Sequence, residues 1–462
     1  MRTLITNGHI VTATGDFQGD ILIDDEQITA VASPGTFSAL QTDTVLDAQG
    51  KYVFPGAIDV HTHMELPLPT TVASDDFETG TIAAACGGTT TILDFANQQR
   101  GHSLAEALEA WHHKADGKAV IDYGFHMTIT DLAAAPEEAM DEMVAAGLTT
   151  FKLLMAYPNT FMVDDETIYR VLRRSARLGG LVMVHAENGI VIDLIVREAV
   201  AAGHTAPVYH ALTRPGILEG EAAQRAITLA TLAESPLYVV HVSCAHSLRA
   251  VAAAREKGLP VWGETCPQYL FLNDSCYAAP GFEGAKYVCT PPMRSLADNE
   301  ALWLGLQRRE LSVVSTDHAP FNFHGQKELG LHDFTKIPNG LPGVEHRVML
   351  LYQGVREGKL NLQHFVDLVS TMPAKLFGLF PRKGTIAPGS DADLLIFDPE
   401  KTLTISVKNQ HQRVDYNPYE GMHVQGVPDT VLLRGRLIVR DGQYVGGKGG
   451  GQFLARKTFT EP

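Results

Sequence analysis

Along the first fifty residues apolar and polar positions alternate with a period of two, as in ILIDDEQITAVA, and turn residues lie close by. Successive side chains of an extended chain point to opposite faces, so this texture predicts short strands and turns. From about residue 53 the texture changes to short β-rich runs: GAIDVH, TTTILDF, YGFHMTIT, TTFKLLM, LVMVHAE, LYVVHVS, VWGET and SVVSTD. Between most of them lie longer amphipathic segments, among them SLAEALEAWHHKA, DETIYRVLRRSARLG and EGEAAQRAITLATLAE. Apolar strands alternating with helices predict parallel β/α units, and eight such units predict an α/β fold of the (β/α)8 barrel type. A doubly wound open sheet is the competitor, but no G-x-G-x-x-G or P-loop accompanies it. After about residue 384 strands return, and TIAPGSDADLLIFDP and TVLLRGRLIVRDGQYVG predict β-hairpins turning at Gly and Asp. The predicted organisation is a small β-sandwich from both chain ends (1–52 and 384–445), a barrel between them (53–383), and a C-terminal tail (446–462). The tail, GGKGGGQFLARKTFTEP, reads equally as a mobile terminus or a packed one.

Charge narrows the partners. With 37 Lys+Arg against 53 Asp+Glu the net charge is -16, and no basic run is present, which excludes phosphate-backbone binding. No apolar stretch reaches the ~18 residues of a membrane span. The opening MRTLITNGHIV has no signal-peptide core, so a cytoplasmic protein is expected. The five cysteines, Cys86, Cys244, Cys266, Cys276 and Cys289, include no C-x-x-C pair, which argues against a disulfide framework or thiolate zinc site.

The chemistry lies at the strand ends. His61 and His63 close the first predicted barrel strand, and residues i and i+2 of a strand project the same way. Strand four carries Lys152, strand five ends in His185, strand six in His241 and strand eight in Asp317. The C-terminal ends of barrel strands form the mouth where active sites sit. Four imidazoles and a carboxylate there suit Zn²⁺, and also Mn²⁺ or Co²⁺. Lys152 is the odd member, because an ammonium has three donors and no acceptor. Addition of CO2 to the amine would give a carbamate with two carboxylate-type oxygens.

FPGAIDVHTHMELP, TTFKLLMAYPNTF, LVMVHAENG, LYVVHVSCAHSL, WGETCPQYL, YVCTPPMR, STDHAPFNFHGQKELGLHDFTKIPNGLPGVEHR and DYNPYEG occur in this order. Together they resemble the dihydropyrimidinase/hydantoinase family of the amidohydrolase superfamily nearly end to end. The resemblance implies two divalent metals per chain and a β-sandwich beside the barrel, usually in a homotetramer. It assigns one metal to His61, His63 and Asp317 and the other to His185 and His241, with carboxylated Lys152 and a hydroxide bridging both. It further assigns Tyr157 to the developing oxyanion, and Thr290 and Asn339 to the cyclic amide, mainly through backbone groups. Thr290 departs from the serine most common there.

The implied reaction is hydrolytic ring opening of dihydropyrimidines or 5-substituted hydantoins to N-carbamoyl amino acids, with Asp317 moving the proton. The substrate's side chain is expected to meet the loops Met64–Thr71 and Leu154–Met162. The apolar residues there, Met64, Leu66, Leu68, Leu154 and Phe161, suggest an uncharged substituent. Dihydroorotase carries Arg two positions after its HxH; this chain has Glu65, expected to repel a carboxylate. Allantoinase shares the metal framework and stays open. A silent scaffold like the collapsin response mediator proteins is disfavoured, because all six ligand positions are filled.

Overall fold

The computed structural model describes residues 1–133, 137–158 and 160–462; Asn159, within the expected substrate loop, lies outside them. The eight apolar runs form eight strands: β1 Ala57–Thr62, β2 Thr89–Asn97, β3 Asp122–Thr128, β4 Thr150–Leu154, β5 Leu181–His185, β6 Leu237–Val239, β7 Val261–Thr265 and β8 Val313–Val314. They are parallel and pair in chain order. The amphipathic segments form the helices between them, including Leu104–Ala115, Asp165–Leu178 and Gly216–Leu232. One core cluster takes alternate strand residues, Ile58 and Val60, Leu93 and Phe95, Leu181 and Met183. A larger one joins the strands to the helices through Phe151, Val184, Trp111, Ile168 and Ala226. This is the two-faced burial that makes strands of parallel sheets apolar throughout.

The seam between β8 and β1 is closed in two ways. At the mouth His318 bridges to Thr62, and His63 N donates to His318 O at 2.8 Å. Deeper in, the buried Arg347 guanidinium donates to Ile58 O at 2.8 Å and Val314 O at 2.9 Å. Thr316 Oγ1 donates to Asp59 Oδ2 at 2.7 Å.

The chain ends meet as expected, but as one hydrogen-bonded sheet of nine strands with its own core of Ile5, Ile21, Val53, Leu394 and Leu432, rather than as two separate sheets. Register shifts interrupt its longer ladders, for example between Ile5 and Gly8 and between Ile396 and Phe397. Two local readings differ. Tyr52–Pro55 pairs with Arg2–Thr12 and Leu394–Thr404, so it belongs to this sheet, and the barrel begins after Gly56. TIAPGSDADLLIFDP is not a hairpin but the approach to one strand, Leu394–Thr404. The tail is packed: Gly451 N donates to Ala119 O, Leu454 N to Tyr123 O, Arg456 N to Gly147 O and Phe459 N to Gly179 O, at 2.8–3.0 Å. Ala119, Tyr123, Gly147 and Gly179 lie at or just before the starts of β3, β4 and β5. Among the described residues no helix is long and apolar enough to cross a membrane.

Candidate metal centre and substrate cavity

The strand ends converge. His61 Nε2 lies 3.2 Å and His63 Nε2 3.0 Å from Asp317 Oδ1. The ring centroids of His185 and His241 are 4.6 Å apart, and those of His61 and His241 5.5 Å. Lys152 is buried, its Nζ 5.3 Å from the centre of the Phe95 ring and without a hydrogen-bond partner among the described residues. All six residues line one cavity of about 500 Å³. Three residues of the site hold left-handed backbone, Tyr157 at φ 65°, His241 at 38° and Asp317 at 54°. Such values are uncommon outside glycine and gather at functional sites.

Buried carboxylates stand behind the histidines. Glu264, at the end of β7, binds His61 Nδ1 and also accepts from Tyr238 OH at 2.8 Å and His241 N at 3.1 Å. Glu187 lies 2.8 Å from His185 Nε2. Asp94, in β2, accepts from Met64 N at 2.7 Å and Trp111 Nε1 at 2.9 Å. Sequence reasoning passed over all three. The strand-end rule applied to VWGET would have found Glu264, and i+2 spacing from His185 would have found Glu187. Glu264 and Glu187 are partners of the kind that fix the orientation of a ligating imidazole and its tautomer, whereas Asp94 holds the backbone just after His63.

The electrostatics follow from this crowding. Burial opposes protonation of His61, but Glu264 and Asp317 outweigh it and raise its pKa to about 9. Burial also opposes ionisation of Asp317, yet His61 and His63 hold its carboxyl well below the usual range. His241 is pushed far down by burial and by His185 and Lys152. Burial lowers the Lys152 amine to about 7.

The cavity wall contains Tyr157, Thr290, Asn339, Leu66, Leu68, Leu154 and Phe161. Burial raises the Tyr157 phenol to about 12, against the opposing influence of the neighbouring Thr290 and Asn339. Phe161 stands edge-on to it, ring centres 6.3 Å apart. Met64 is a correction: its side chain is fully buried, packs against Gly80 and is absent from the wall. Glu65 is another. At φ 50° it faces an outer groove beside Ser74, Asn322 and Arg413, so it does not confront a substrate carboxylate. Unforeseen wall residues, Leu329, Lys336, Ile337 and Pro338, come from the segment after Asp317.

A model of the amidohydrolase family matches residues 52–438. The chain is 54% identical to a D-hydantoinase of Geobacillus stearothermophilus, over 99% of this chain and 97% of that one. It is 51% identical to a D-hydantoinase of Streptomyces coelicolor, over 99% and 98%. The crystal structure of dihydropyrimidinase from Brevibacillus agri NCHU1002 superposes with a TM-score of 0.97 at 52% identity, covering 100% of both chains. The chain belongs to the hydantoinase branch of the amidohydrolase family. This amidohydrolase has a donor set that fits divalent metal: His61, His63 and Asp317 offer ligand atoms within 4.8 Å of one another. The orphaned Lys152 nitrogen fits the same reading, because a buried ammonium without an acceptor is costly, whereas a carbamate there would present oxygens to cations.

Proposed function

We propose that this amidohydrolase opens the rings of 5-substituted hydantoins and dihydropyrimidines by hydrolysis, giving N-carbamoyl amino acids. The observation that carries the reading is the six-residue donor cluster at the floor of an apolar-walled cavity. The similarity to enzymes named D-hydantoinase supports the D-hand at the 5-position.

His61, His63 and Asp317 would hold one divalent cation and His185 and His241 the second, zinc by preference, with manganese or cobalt as substitutes. Lys152 would bridge them after its amine adds to CO2, loses a proton and becomes a carbamate. When bound, the cations supply Lewis acidity that activates water and polarises a carbonyl. Thr290 and Asn339 hold the cyclic amide through backbone groups. Tyr157 stays protonated at neutral pH and donates to the oxygen that gains charge in the tetrahedral stage. Asp317 takes the proton from the attacking water and delivers it to the ring nitrogen as the C–N bond breaks. Leu66, Leu68, Leu154 and Phe161 shelter the substituent. Five free cysteines support a cytoplasmic setting, and the family resemblance supports a homotetramer.

Zinc- or manganese-loaded protein with bicarbonate is to be assayed on dihydrouracil, 5-phenylhydantoin, allantoin and dihydroorotate. Turnover of the first two, with little of the others, is expected. Turnover of allantoin or dihydroorotate alone would overturn the reading.

A further inference from the structure

We propose that Lys327, with Gln326 beside it, is a positioning residue that sets the substrate-binding edge of the cavity. The proposal rests on the assignment of Thr290 and Asn339 to the cyclic amide.

Lys327 is fully buried, yet no carboxylate pairs with it among the described residues. Its ammonium spends its three donors on backbone carbonyls: Val288 O at 2.9 Å, Pro338 O at 3.0 Å and Gly340 O at 2.9 Å. Val288 lies two residues before Thr290, and Pro338 and Gly340 flank Asn339. One cation therefore grips both strips that carry the proposed amide-binding groups. Gly340 N also donates to Val288 O at 3.1 Å. In a planar trans peptide, anchoring that N–H turns the Asn339 carbonyl to the opposite side. The approach is close: a Cβ on Gly340 would fall 2.3 Å from Ala319 O, so Gly340 could not hold a larger residue without moving the strip.

Gln326 fastens a third wall. Its Nε2 donates to Thr71 Oγ1 at 2.6 Å and Val72 O at 2.8 Å, in the small hairpin that pairs Pro67–Leu68 with Thr71–Val72. Leu66 and Leu68 of that loop line the cavity. Burying a cation without a counter-ion is expensive, and an apolar side chain would fill the same space at less cost. What an apolar side chain would not supply is a three-pronged hold on two separate strips. Charge-assisted hydrogen bonds of this kind are stronger than neutral ones and fix geometry. The contacts touch substrate-binding backbone and neither the histidines nor Asp317, so the predicted effect falls chiefly on binding.

The test compares metal-loaded wild type with Lys327→Met, measuring metal content, kcat and KM on 5-phenylhydantoin and dihydrouracil. A wild type without turnover defeats the functional assignment itself, before any variant is made. With active wild type, the expected result is a KM raised about tenfold or more on both substrates, kcat within about threefold and unchanged metal content. An unchanged KM, or a kcat or metal loss that exceeds the rise in KM, overturns the proposal. If Lys327→Met does not fold, Lys327→Gln, which keeps two donors, is read by the same criteria. Gln326→Ala, at a partly exposed site, is expected to raise KM for 5-phenylhydantoin and leave unsubstituted hydantoin unaffected; equal effects on both overturn the role given to Gln326.

Discussion

The two ends of the barrel bury charge in opposite ways. At the mouth, Lys152 Nζ, His63 Nδ1 and Glu187 Oε1 are buried without hydrogen-bond partners. At the other end, where β3 begins, the Lys383 ammonium meets Asp122 and Asp393 at 2.6 Å each and Asp391 at 3.1 Å. Arg434 closes on the second oxygen of Asp122. Asp122 is in the barrel, and Arg434 follows a strand of the end-built sheet, so this cluster pins one unit to the other. Its charges neutralise one another inside the chain. Those at the mouth pair only in part: Lys152 and His63 line the open cavity, near the left-handed backbone of Tyr157, His241 and Asp317. At the joint opposite charges meet directly, although Arg434 Nε lacks a hydrogen-bond partner; at the mouth Lys152 has neither a hydrogen bond nor a paired carboxylate among the described residues, which marks a place able to receive something from outside.

Substitutions sharpen that contrast. The largest expected effect is at the mouth: Lys152→Ala should lower hydrolysis at least about a thousandfold, about 4 kcal/mol on the barrier, with loss of metal and little loss of fold. Elemental analysis beside the assay checks it, and full activity with two metals in that variant would remove the bridging role. Asp122→Ala should do the reverse, costing about 3–5 kcal/mol of stability by leaving Lys383 and Arg434 under-compensated. Denaturant unfolding should show the loss, while the folded fraction keeps its metal and its kcat. Tyr157→Phe should cost about 3 kcal/mol in kcat without altering metal content or unfolding. Smallest is Phe161→Ala, expected to weaken 5-phenylhydantoin by about 1–2 kcal/mol in KM and dihydrouracil hardly at all. A competition assay between the two substrates reads that ratio directly.

How far these differences were legible in the sequence depends on what carries them. The barrel strands announce themselves because each is a short apolar run between amphipathic ones, and the ligands because they recur at the same place on each run. Met64 and Glu65 were misplaced because period-two reasoning ends where the strand ends, and Glu65 turns left-handed just beyond it. Glu264 and Glu187 were passed over because they act on the ligands from behind. The seam held by Arg347, the Lys383 cluster and the grip of Lys327 join positions far apart in the chain, and no local pattern reports on such pairings. Composition left the tail undecided; Leu454 and Arg456 pack because the strand starts offer carbonyls to meet their backbone.

The sheet made from both chain ends has a consequence for the order of events during synthesis. Tyr52–Pro55 leaves the ribosome early but pairs on one side with Leu394–Thr404, which is translated hundreds of residues later. At ~5–20 residues per second that partner arrives roughly twenty to seventy seconds afterwards. The residues that brace the starts of β3 to β5 emerge later still. Through that interval the nascent chain carries an open strand edge and an uncovered barrel base, the kind of exposed surface that chaperones shield until its partners arrive.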